Sequence, residues 1–167
     1  MRQLIELRCV RGVTLVELLV TMAVLSILVT LGLPAMSDYL RNARLSESAH
    51  TVMATAIFAR SEAIKRNETL RLELSGGELR VRTAEDEVLR SQMLPDGIAV
   101  AAASVASGDA VSAIQFGGSG RTVPFGASFR IDASLAGASC EDPETRCPRV
   151  MVRSGGALQK CLGQEDC

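Results

Sequence analysis

Residues able to do chemistry are few in this chain, and they are unevenly placed. One acid, Glu17, lies near the start of an apolar run, residues 13–36, in which no other side chain is charged (VTLVELLVTMAVLSILVTLGLPAM). An ionised carboxylate inside a bilayer costs at least about 2.5 kcal/mol, so Glu17 needs a partner or a purpose. Four of the five cysteines, Cys140, Cys147, Cys161 and Cys167, fall within the last 28 residues. An even cluster in an exported domain reads as two disulfides with three possible connectivities. Sequential pairs, Cys140 with Cys147 and Cys161 with Cys167, are expected. The rival is a four-thiolate zinc site, whose knuckles normally run C-x₂₋₄-C, whereas the spacings here are C-x₆-C and C-x₅-C. Disulfides are the better reading, and no metal is expected.

Catalytic constellations are missing from the pattern. A lone histidine, His50, would have to serve every acid–base or nucleophilic scheme, and no Ser-His-Asp or Cys-His arrangement surrounds it. The run FGGSGRT (116–122) lacks the Gly-Lys-Ser/Thr ending of a phosphate-binding loop and reads as a turn. Acid pairs such as Glu85–Asp86 and Glu165–Asp166 stand in polar segments as solvated charge. The expectation is therefore a protein that is not an enzyme and takes no cofactor. A net charge of −1 argues against nucleic acid held by bulk electrostatics.

The elements that must carry these residues follow from periodicity. Arg2, Arg8 and Arg11 stand against Glu6 in residues 1–12. The 24 residues of 13–36 would make a helix about 36 Å long, enough to cross a hydrocarbon core of about 30 Å. The basic flank should stay cytoplasmic and send the rest of the chain outward, into an oxidising compartment. A secretory signal peptide is the plainer alternative, but the run is long for one and lacks a convincing small-x-small cleavage site. Beyond Pro34 the helix should continue to Arg66, with Leu40, Ala43, Leu45, Ala49, Val52, Met53, Ala56, Ile57 and Ile64 forming its apolar stripe. A kink is expected near Gly32 and Pro34. After Asn67 the pattern turns to short alternating strands: 70–74, 79–82, 87–94, 113–117, 124–132, 149–153 and 157–161, with 98–105 ambiguous. Ser75-Gly76-Gly77-Glu78 and Ser154-Gly155-Gly156 mark hairpins. The fold class is α+β, a long N-terminal helix packed on an antiparallel sheet.

The stretch RGVTLVELLVTMAVLSILVTLGLP resembles the class III signal of type IV pilins and type II secretion pseudopilins. ARSEAIKRN (59–67), IQFGGSGRT (114–122), FRI (129–131) and RVMVRSGGALQKC (149–161) resemble the GspH/FimT branch of minor members. The resemblance implies a leader, 1–12, removed by a prepilin peptidase between Gly12 and Val13, and methylation of the new amine on Val13. It implies a transmembrane or filament-core helix (13–36), an amphipathic continuation (37–66) and a periplasmic β-sheet domain (67–167). Pro34 falls where the family often bends its helix, while Val13 departs from its usual Phe. Glu17 would be the fifth mature residue and would dock a subunit by meeting the amine of its neighbour. Losing either charge leaves the other buried alone, which costs several kcal/mol. Partners implied are the peptidase, other pilins or pseudopilins and an inner-membrane assembly platform. Some FimT-like proteins bind DNA through a C-terminal Gly-Arg-x-Arg turn. The aligned residues here are Gly156-Ala157-Leu158-Gln159, so only Arg149, Arg153 and Lys160 remain as candidate contacts. Two rivals stand beside the pilin reading: a DNA-binding minor pilin, and a signal-anchored envelope protein outside any filament.

Overall fold

The computed structural model describes residues 12–137 and 147–161, without the side chains of residues 32–35 and 38. Cys140, Cys167 and all of the expected leader except Gly12 lie outside the described residues, as does the side chain of Pro34. The chain divides into two compact units, Met1–Leu40 and Arg41–Cys167.

The single long helix, α1, runs Leu15–Arg66. Its start is capped. Thr14 lies outside the helix, its Oγ1 accepts the amide of Glu17 at 3.2 Å, and its carbonyl accepts the amide of Leu18 at 3.1 Å. With Thr14 at the N-cap and Glu17 three residues on, TLVE has the form of a capping box. The helix stops at Asn67, whose left-handed φ of 54° lets its amide reach the Ile64 carbonyl and the Glu68 amide reach that of Ala63. That pair of bonds is a Schellman stop, here with asparagine in the position glycine usually fills.

Among the described residues of the second unit ten strands follow. They are β1 (Leu70–Ser75), β2 (Glu78–Arg82), β3 (Val88–Met93), β4 (Ile98–Ser104), β5 (Ala110–Val111), β6 (Ala113–Phe116), β7 (Thr122–Val123), β8 (Phe129–Leu135), β9 (Arg149–Val152) and β10 (Leu158–Cys161). They form two five-stranded sheets, ordered β3-β2-β1-β6-β7 and β10-β9-β8-β4-β5, rather than the one sheet expected. All pairings are antiparallel. Register stacks Leu72 between Val81 and Ile114 in the first sheet, and Ile131 between Ala102 and Val150 in the second. The ambiguous 98–105 segment is the inner strand β4, and the expected strand 124–132 begins only at Phe129 because residues 124–127 turn. Alternation explains the inner faces. Leu70, Leu72, Leu79, Val81, Ile114 and Phe116 point inward from one sheet, and Ile131, Val150 and Val152 from the other, all essentially without solvent contact.

The face that α1 gives this core is narrower in side-chain size than the periodicity suggested. Leu45, Ala49, Val52 and Ala56 are buried as expected, joined by Ser48, Thr55, Ala59 and Ala63, but Ala43, Ile57 and Ile64 stand largely exposed. Small residues let the helix backbone approach the sheets closely, so the buried stripe is rotated toward them. Ser48 and Thr55 tolerate burial because each hydroxyl donates to a carbonyl one turn back, Arg44 and Thr51, at 2.8 Å.

Candidate functional site

The described residues of the N-terminal unit, taken alone, present apolar surface with nothing over it. Residues 15–31 of α1 are exposed on every face, from Leu15 at 74% to Leu31 at 71%. A helix apolar all round is normally covered by a protein core, by other helices or by lipid. Its few hydroxyls are already satisfied. Thr21, Ser26 and Thr30 donate to the carbonyls of Leu18, Ala23 and Ile27 at 2.8, 2.8 and 2.9 Å. Such back-bonded hydroxyls add little cost in an apolar setting. Glu17 is the one charged side chain in this stretch, and among the described residues its carboxylate has no hydrogen bond or ion pair. Gly12 and Val13 precede the helix, exposed and non-helical. Among the described residues an added Cβ on Gly12 would meet nothing within 4 Å. Among the described residues no helix is long and apolar enough to cross a membrane.

In the second unit the glycine turns come together. The Nε of Arg60 on α1 donates to the carbonyl of Gly120 at 2.9 Å. Gly120 and Gly156 both adopt left-handed φ, +74° and +79°, and a Cβ on Gly156 would stand 1.9 Å from the Gly120 oxygen. The buried Thr122 ties the same two turns together, its Oγ1 lying 2.6 Å from the Ala127 carbonyl and 3.1 Å from that of Ser154. Helix, first sheet and second sheet thus meet where the Arg60 side chain reaches two glycine turns, whose close approach the missing Cβ of Gly156 permits. The sequence carried a trace of this in FGGSGRT and SGG, but not that the two turns touch.

The cations singled out for nucleic acid already have protein partners. Arg149 grips Asp132 through two bonds, Nε to Oδ1 at 2.6 Å and a terminal nitrogen to Oδ2 at 3.2 Å, with both side chains mostly covered. Arg153 donates to Gln159 at 3.1 Å. Lys160 donates to Ser46 Oγ at 2.9 Å and lies 2.8 Å from Nε2 of His50. Arg121 instead stands over the ring of the exposed Phe125, 5.8 Å from its centroid. Of the cysteines, Cys147 and Cys161 are buried and disulfide-bonded. On the surface, the Arg66 hydrogen bond holds the Glu62 carboxyl below its ordinary range, and Arg80, aided by Ser91, does the same for Glu78. An open groove of about 480 Å³ lies between α1 and the β3 edge, lined in part by Glu47, Thr51, Arg90 and Met93. Among the described residues no group of His, Cys, Asp and Glu is arranged to hold a metal.

Residues 48–156 match the family described as type II transport protein GspH, and residues 7–33 match the prokaryotic N-terminal methylation motif. Among solved structures, the type IV minor pilin FimU of Pseudomonas aeruginosa is similar at 17% identity and a TM-score of 0.56, covering 72% of this chain and 90% of that one. The minor pseudopilin EpsH from the type 2 secretion system of Vibrio cholerae is similar at 16% identity and a TM-score of 0.52, covering 73% and 99%. At these identities the likeness speaks for the fold. No curated protein matches significantly.

Proposed function

We propose, on the premise that this chain belongs to the GspH family of type II transport proteins, that it works as a minor pilin or pseudopilin. Its task is structural: to be anchored in the envelope membrane and to enter the assembly of a type IV pilus or a type II secretion pseudopilus. The observation that carries this reading is the helix over residues 15–31, apolar on every face, left uncovered by the other described residues and bearing one charge. Lipid covers it before assembly and neighbouring helices cover it afterwards.

Cleavage between Gly12 and Val13 by a prepilin peptidase, followed by methylation of Val13, creates a cation four residues before Glu17. In the filament that cation on one subunit meets the Glu17 carboxylate of the next. Desolvation consumes much of the attraction, so the pair sets register more than it adds stability. Pro34 allows the helix to bend where it leaves the packed apolar layer. Two disulfides among Cys140, Cys147, Cys161 and Cys167 lock the C-terminal region in the oxidising compartment.

Mass spectrometry of the mature N-terminus, together with filament incorporation of Glu17→Ala, tests the reading. The expected results are an N-methylated Val13 and a variant that is inserted and cut but left out of filaments. An unmodified chain beginning elsewhere would point to a simple signal anchor, and wild-type incorporation of Glu17→Ala would remove the register role.

A further inference from the structure

We propose that Ser46, His50 and Lys160 form an oxyanion-binding subsite at the seam between α1 and β10. Ser46 and His50 are four residues apart and share one helix face. Lys160 reaches them from an edge strand 110 residues later, its Nζ 2.9 Å from Ser46 Oγ and 2.8 Å from His50 Nε2. An ammonium can only donate. Nε2 therefore accepts, which leaves the ring neutral with its proton on Nδ1.

Among the described residues, that leaves three donors with nothing to give to. Lys160 has used two of its N–H groups and keeps a third. Ser46, accepting through its oxygen, keeps its own O–H. His50 keeps Nδ1–H. Among the described residues none of the three is bonded to an acceptor, and no carboxylate pairs with Lys160. A half-covered cation usually has an anionic partner, whereas both partners here are neutral. The neighbouring acid on the helix, Glu47, lines the groove beside Arg90 at the β3 edge instead. Lys160 lies on the same side of its strand as Leu158, and their partners in β9, Val150 and Val152, are apolar, so that strand brings no counter-charge. A positive charge with converging N–H and O–H donors fits a phosphate or a carboxylate.

His50 is the chain's only histidine, so its ring signals report on the subsite alone. The full-length chain in a phosphate-free maltoside detergent, at pH 7.5 and constant ionic strength, is titrated with inorganic phosphate and, separately, with acetate while the imidazole carbon-bound protons are followed by NMR. A saturable shift with a midpoint on the order of 1 mM is expected for at least one of them. Tighter binding of phosphate identifies a phosphate-bearing ligand, and tighter binding of acetate identifies the acidic side chain of a partner chain. Lys160→Met should weaken binding at least tenfold while the amide spectrum shows an intact fold, and Lys160→Arg should keep it within about threefold. Neither anion saturating, or Lys160→Met binding as wild type does, overturns the proposal.

Discussion

Replacing Gly156 by alanine isolates what the meeting of the two glycine turns contributes, because two other glycines supply internal controls. Gly155 has an ordinary φ, and a Cβ there meets nothing within 4 Å, so Gly155→Ala should change stability by less than about 0.5 kcal/mol. Gly126 has φ +88° and equally open surroundings, so Gly126→Ala should show the left-handed penalty alone, about 1–2 kcal/mol. Gly156→Ala meets the same penalty at φ +79° and also puts a Cβ 1.9 Å from the Gly120 carbonyl oxygen and 2.8 Å from Arg60 Nε. The Gly120 backbone must then retreat and break the 2.9 Å bond from Arg60, a charge-assisted bond worth about 1.5–3 kcal/mol. The sum is about 2.5–5 kcal/mol, enough to lower the melting temperature by roughly 8–15 °C at a slope of about 3 °C per kcal/mol. Thermal unfolding of the detergent-solubilised chain, followed by near-ultraviolet circular dichroism, reads it. If Gly156→Ala costs no more than Gly126→Ala, the two turns do not hold each other and the reasoning fails.

Two further outcomes follow from local geometry. Thr14→Ala removes the cap on α1 and should loosen the first turn by about 1 kcal/mol, seen as faster hydrogen exchange at the Glu17 and Leu18 amides; Thr14→Ser should restore protection, and equal exchange in all three would remove the capping role. Glu78, held below the ordinary value of 4.5 by Arg80 and then by Ser91, contributes stability that is present above that value and lost as pH falls below it. Glu78→Gln should therefore lower stability slightly at neutral pH and flatten the acid limb, so that the wild-type and variant curves converge below about pH 4.5, as urea melts at stepped pH would record.

Much of the fold was legible from the chain because it is written locally. The hairpin at Ser75-Gly76-Gly77-Glu78 needed only two residues with positive φ between alternating strands, and it formed with Ser75 opposite Glu78. Asn67 as the end of α1 was equally plain. The buried stripe is less legible, since periodicity and size mark Ile57 and Ile64 as core and pass over Ala59 and Ala63. Hydrophobicity ranks the larger residue inward, whereas close approach of helix to sheet selects the smaller. The division of the strands into two sheets was missed for a different reason: alternation says that a segment is a strand and not which strand lies beside it. Arg149 reads from the chain as an available cation because its partner Asp132, on a neighbouring strand, is 17 residues away in sequence.

The N-terminal chemistry is written in the chain alone: an apolar helix with one acid at a set distance from Gly12. Every part of that description depends on residues within a few turns of each other. The tertiary structure alone decided that Gly120 and Gly156 interlock beneath Arg60, and that Lys160 lies against Ser46 and His50. Those meetings depend on long-range strand pairing, whose free energy comes from burying the two inner sheet faces together, and no local pattern records which distant residues that burial brings into contact.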